Sequence, residues 1–125
     1  MGIDITIMVG DVTLAAELYD TPTAGEVASL LPLENPFNTW GDEIYFETPL
    51  ASELDDTAKE VVEVGDLGYW PAGRAFCIFF GPTPMSRKGK IVPASAVNII
   101  GKVTGDARRL KSAMTEDHIR IEAAG

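Results

Sequence analysis

Apolar and polar residues alternate at the start of the chain. Ile3, Ile5, Ile7 and Val9 are separated by Asp4, Thr6 and Met8, the period of two expected of a strand with one buried face. Gly10-Asp11 breaks the run, and Val12, Leu14, Ala16 and Leu18 resume it, so residues 3–18 predict a β-hairpin. The period then changes. Thr23-Ala24-Gly25-Glu26 has the form of a capping box, in which the Thr23 hydroxyl accepts the Glu26 N–H and the Glu26 carboxylate reaches back. The helix it opens carries Val27, Leu30 and Leu31 on one side and stops at Pro32.

Beyond Pro32 the pattern is β. Phe37 to Trp40 and Glu43 to Glu47 read as strands around the turn dipeptide Gly41-Asp42. Residues 51–60, ASELDDTAKE, are acidic and lack strong periodicity, which predicts an exposed loop or a short irregular helix. Leu67 to Trp70 and Ala75 to Phe80 flank the corner Pro71-Ala72-Gly73. A loop follows from Pro82 through SRKGK, then a strand at about 96–103. Asp106 caps a short helix over 107–113, and His118 to Ala123 is a last strand with Ile119 and Ile121 on one face. About eight short strands, a pair of short helices and no βαβ rhythm predict a mainly-β fold, a closed antiparallel barrel. Without a repeat or linker, residues 1–125 form one domain.

A chain of 125 residues can bury a hydrophobic core without staples. Its one cysteine, Cys77, has no partner for an internal disulfide, and nothing asks for an oxidising compartment. Nineteen acidic residues against ten basic ones leave a net charge of −9. Phosphate backbones are held by clustered cations, and only Arg87-Lys88-Lys90 and Arg108-Arg109-Lys111 are grouped, so nucleic acid is not an expected partner. No apolar run approaches the roughly 18–20 residues that cross a bilayer. The start, MGIDITIMVG, lacks the basic region and cleavage site of a signal peptide. The expected location is the cytoplasm, away from membranes.

Standard catalytic motifs are missing. One histidine and one cysteine support neither a zinc site nor a Cys–His–Asp arrangement, and no metal or cofactor is expected. Cys77, mid-strand between Phe76 and Ile78, reads as a small buried apolar residue, and His118, beside Asp117, as a surface or capping residue. The carboxylate pairs, Asp42 with Glu43 among them, read as solvated turns. Aromatic clustering is the remaining signal. Trp40, Tyr45, Phe46, Tyr69, Trp70, Phe76, Phe79 and Phe80 are eight of the ten aromatics. Alternation puts Phe76, Ile78 and Phe80 on one face of their strand and Cys77 and Phe79 on the other. One face fills the barrel, and the other wants cover from a helix, a loop, a partner or a ligand. A pocket wall and plain core packing both fit.

The stretches NTWGDEIYF (38–46), VGDLGYWPAGRAFCIFFGPTPMS (64–86) and PASAVNIIGKV (93–103) resemble the small bacterial and archaeal cyclophilin-like proteins of unassigned function. The resemblance runs over the whole chain and implies a closed antiparallel barrel capped by helices. True cyclophilins are peptidyl-prolyl isomerases. They use an arginine from an F-H-R segment, a glutamine and phenylalanine from a strand written G-S-Q-F-F, and a later tryptophan and histidine. Ala75 to Phe80 resembles that strand, with Phe79 in the place of the pocket phenylalanine. Cys77 stands where the glutamine would be, Gly68-Tyr69-Trp70-Pro71 replaces a small polar segment, and Phe37-Asn38-Thr39-Trp40 replaces F-H-R.

Three function classes follow. The first is a cyclophilin-like module binding a small molecule or peptide in an aromatic cleft on the outer barrel face. Trp40, Tyr45, Tyr69, Trp70 and Phe79 would line it, with Thr83 and Met85 in a closing loop, Pro82 to Ser86. Arg74 either anchors a ligand carboxylate in bidentate fashion or is an exposed turn residue. The second class is a weak or atypical prolyl isomerase, with Arg74 as its candidate catalytic residue. In the third, a homodimer covers the apolar outer face.

Overall fold

The computed structural model describes residues 2–124. Strands β1 (Ile3–Val9) and β2 (Val12–Leu18) pair in the expected hairpin, Ile5 opposite Ala16 and Ile7 opposite Leu14. Gly10 turns it at φ +57°, a conformation that glycine adopts without steric cost. Ile5, Ile7, Val9, Leu14, Ala16 and Leu18 are buried, as the alternation predicts, but Ile3 is 42% exposed. The last strand, β10 (His118–Ala123), covers β1 only from Ile5 to Met8, which leaves Ile3 paired with Leu18 of β2 on one side alone.

Helix α1 (Pro22–Ala28) starts two residues earlier than the capping box predicts. Its N-cap is Thr21, whose hydroxyl accepts the Ala24 N–H at 3.3 Å. Pro22 sets this start, since it has no N–H to satisfy and its φ suits the first helical position. Thr23 is buried inside the first turn and donates to Asp55, and Glu26 accepts from the Ser52 hydroxyl. Leu30 and Leu31 fall in the turn after the helix and still pack on the core.

The remaining strands are β3 (Leu33–Pro36), β4 (Asn38–Thr39), β5 (Glu43–Glu47), β6 (Ala58–Lys59), β7 (Asp66–Trp70), β8 (Ala75–Phe79) and β9 (Val97–Val103). All pair antiparallel in one sheet of order β3-β10-β1-β2-β9-β7-β8-β5-β4, with β6 beside β9. The end strands β3 and β4 are consecutive in the chain and separated only by Phe37. The backbone therefore spans the gap, and the barrel is nearly closed. The segment Ala107–Ala113 is a 3-10 helix rather than an α-helix, capped as expected by Asp106. Residues 51–60 are not a free loop: β6 lies in them, and Asn98 on β9 fastens the chain before it.

Two apolar clusters share the strands β5, β7 and β8. Ile44, Phe46, Leu67, Tyr69, Phe76 and Ile78 point into the barrel with the hairpin residues, and Phe46 stacks on Phe76 at 5.3 Å. On the outer face, Ala75, Cys77 and Phe79 are covered by Val62, Ile91 and Val97, with Tyr45 and Trp70 packed at the margin. The apolar outer face foreseen for β8 is thus covered by the chain itself. No helix among the described residues is long and apolar enough to cross a membrane.

Candidate functional site

The outer cluster ends in a cleft of about 180 Å³ lined by Trp40, Glu43, Tyr45, Trp70, Pro93, Ala94 and Val97. Strand periodicity selects these residues. Along β5, Ile44 and Phe46 face the core, so Glu43 and Tyr45 face outward. Along β7, Leu67 and Tyr69 face the core and Trp70 faces outward. Trp70 is fixed at both ends of its indole. Its Nε1–H donates to the Ser95 hydroxyl at 2.6 Å, and a Cβ at Gly73 would meet the ring at 2.6 Å. Only glycine lets the corner after β7 lie against the indole.

Trp40 is held by the turn into β5, where its N–H donates to the Glu43 carbonyl at 3.0 Å. Gly41 makes that turn at φ +61°, and a Cβ there would meet the Pro82 carbonyl oxygen at 2.8 Å. The turn is therefore pressed against the start of the 82–96 loop. That loop then returns over β8 and supplies Pro93 and Ala94, which with Val97 at the start of β9 form the far wall.

Glu43 is the unusual member. It is 5% exposed, and burial pushes its carboxyl up from the ordinary range to about 7, against a smaller downward pull from the Cys77 thiol. Among the described residues no cation lines the cleft beside it. A carboxyl that titrates near neutrality inside an aromatic pocket is a marker of a functional site. Cys77 is completely buried behind it, with its thiol pushed well up by burial and by the Glu43 charge, and its Sγ lies 3.8 Å from the Ala75 carbonyl oxygen. It is a packing residue, as its place in the strand predicts.

The structure brings together three of the sequence-predicted residues, Trp40, Tyr45 and Trp70. It separates the other five. Tyr69 is wholly buried in the barrel, its hydroxyl donating to the Leu50 carbonyl at 2.9 Å and accepting the Ser52 N–H; adjacent strand residues face opposite ways, so Tyr69 and Trp70 never share a wall. Phe79 is wholly buried beneath Val62, Ile91 and Val97. Arg74 is exposed at the β7–β8 corner, with φ +50°, and does not line the cleft. Its carbonyl accepts from the backbone and hydroxyl of Thr48. Thr83 is a buried structural hub whose hydroxyl bonds the Val92 carbonyl and the Met85 N–H. Met85 is 46% exposed over a neighbouring shallow groove. The cleft is closed by 93–97 instead of Pro82 to Ser86.

Glu43 is the residue that sequence reasoning missed. Beside Asp42 it reads as half of a solvated turn, whereas the structure makes it the first residue of β5, opposite Phe79. The available signal was register: Glu43 shares a strand face with Tyr45. Among the described residues no group of three or more His, Cys, Asp or Glu is placed to hold a metal ion. His118 is on the surface, 2.9 Å from Asp117.

A family model described as cyclophilin-like matches residues 3–122. Among solved structures, the chain is similar to the solution structure of a hypothetical protein from Archaeoglobus fulgidus, with a TM-score of 0.80 and 39% identity over 98% of this chain and 95% of that one. No curated protein matches.

Proposed function

The chain belongs to the cyclophilin-like family, and we propose that it is a binding module whose ligand enters the Trp40–Tyr45–Trp70 cleft and meets the Glu43 carboxyl. The observation that carries this reading is a nearly buried carboxyl, with a pKa near 7, on the floor of an aromatic pocket. Arg74 lies elsewhere, so the charge available to a ligand is an acid rather than a guanidinium. The complementary group is then a donor or a cation. Aromatic faces attract ammonium groups through their quadrupoles, and a carboxylate adds a directional, charge-assisted partner. About 180 Å³ suits the head of an organic amine or a single cationic side chain of a peptide.

An amine that enters stabilises ionised Glu43, so binding expels a proton where the free carboxyl is still protonated. The test is calorimetry with benzylamine and tetramethylammonium, alongside NMR of the tryptophan indole N–H groups. Saturable binding that shifts the Trp70 signal, releases protons at pH 6 and weakens at least about tenfold in Glu43→Gln is expected. Indole signals that stay fixed with both probes, and with a set of neutral fragments, would remove the cleft as a binding site. Neutral fragments binding without amines would keep the module and overturn its ligand class.

A further inference from the structure

The 82–96 loop also lines a larger cleft of about 660 Å³, which shares no described residue with the aromatic one. Among the described residues its charged lining is Arg87, Lys88, Lys90, Arg108 and Lys111 against a single acid, Asp42. Half of the ten basic residues thus converge on one cleft of a chain that carries nineteen acids. Acids outnumber bases almost two to one over the whole chain, so an unselected cleft would carry more carboxylates than cations. Two segments that are distant in sequence, the 86–91 turn and the 3-10 helix Ala107–Ala113, supply the charges.

These cations are largely uncompensated. Lys111 pairs with Asp42 at 2.5 Å, while Arg87, Lys88, Lys90 and Arg108 form no ion pair among the described residues. Backbone strain accompanies the charge. Arg87 and Lys90 bridge a tight turn in which Lys88 and Gly89 take φ +54° and +76°. Asn, Asp and Gly are the residues favoured at the first of those positions, and a lysine there is held against local preference. Between the cations the wall is apolar, with Phe80, Ile91 and Pro82.

We propose that this cleft binds a small organic polyanion, a molecule with at least two phosphate groups and an apolar body. Lysine ammonium groups and an arginine fork are the usual partners of phosphate oxygens, and the apolar wall suits the rest of the ligand. A long polyanion is disfavoured because the chain's net charge of −9 repels whatever extends beyond the cleft. A small one stays inside the screening length of the local cations.

Inorganic tripolyphosphate is the probe, titrated calorimetrically at low and at physiological ionic strength, with amide NMR to locate it. Saturable binding that weakens with salt and shifts residues 86–90 and 108–111 is expected. The Arg87→Glu/Lys90→Glu double variant should weaken it at least about tenfold, and Lys102→Glu, outside the cleft, should leave it unchanged. Lys88→Gly separates binding from folding: it relieves the positive φ and should raise the melting temperature while lowering affinity. No saturable binding at low ionic strength overturns the proposal, as does equal weakening in Lys102→Glu. Should the double variant not fold, unchanged affinity in a stabilised Lys88→Gly overturns it. Duplex DNA binding more tightly through the same residues would overturn the choice of a small ligand.

Discussion

At the scale of single residues, Glu43 concentrates the chemistry of the outer cleft. Its folded pKa of about 7 lies above the ordinary value of 4.5, so between those values the native state binds a proton that the unfolded chain has already released. Stability contributed by the neutral carboxyl is complete below about 4.5, falls as pH rises through about 7, and is gone above it. Glu43→Gln keeps the shape and removes the titration. Denaturant unfolding should show the variant matching the native protein near pH 4.5 and exceeding it at pH 8, by on the order of 2–3 kcal/mol. A constant difference across that range would mean that Glu43 is ionised throughout in the fold. The residue escaped the sequence reading because its burial depends on Pro93, Ala94 and Val97, some fifty positions away by sequence numbering. Cys77 was legible for the converse reason: phenylalanine and isoleucine neighbours in its own strand already mark an apolar site.

At the scale of elements, legibility follows the periodicity that burial imposes. β1 and β2 have one buried face, so their alternation shows directly in the residues. β8 is buried on both faces, and alternation assigns its side chains to two sets without saying what covers the second. Besides Val97 of β9, the cover is Val62 and the irregular 82–96 segment, the latter held by hydrogen bonds of Thr83 and Ser86, and these irregular parts have no period to read. The 51–60 segment is similar. Asn98 is wholly buried, accepts the Asp55 N–H at 2.9 Å, and donates to the Glu53 carbonyl at 2.9 Å and to Thr23 at 3.3 Å. One side chain on β9 thus binds the acidic loop and the first turn of α1. Asn98→Ala would strand the Asp55 N–H and the Glu53 carbonyl, and should lower stability by about 2–4 kcal/mol. Hydrogen exchange should quicken first at residues 53–57. Uniform acceleration around the barrel would instead make Asn98 an ordinary core residue.

At the scale of the whole molecule, a cyclophilin-like barrel and a prolyl isomerase are separate matters, because a fold positions groups without supplying them. Rotation about an X–Pro bond faces a barrier of about 18–20 kcal/mol, and each tenfold acceleration needs about 1.4 kcal/mol more stabilisation of the twisted amide than of the planar one. Directed hydrogen-bond donors provide such selectivity, and losing one at other enzyme sites costs about 3–4 kcal/mol, a hundredfold or more. Among the described residues lining the outer cleft there is no guanidinium and no carboxamide. Cys77 is sealed behind Glu43 and Arg74 stands at the corner, away from the cleft. Above pH 7 the Glu43 side chain is a carboxylate, an acceptor with no proton to donate. A protease-coupled assay on short proline peptides at pH 8 should therefore show turnover at least about a hundredfold below that of a true cyclophilin. Robust turnover lost in a folded Arg74→Ala variant would make the chain an isomerase with Arg74 as its donor. Turnover that emerges only as pH falls below about 7, is absent from a folded Glu43→Leu and loses its pH dependence in Glu43→Gln, whose carboxamide donates at any pH, would assign the donor to the protonated carboxyl and make the aromatic cleft a catalytic one.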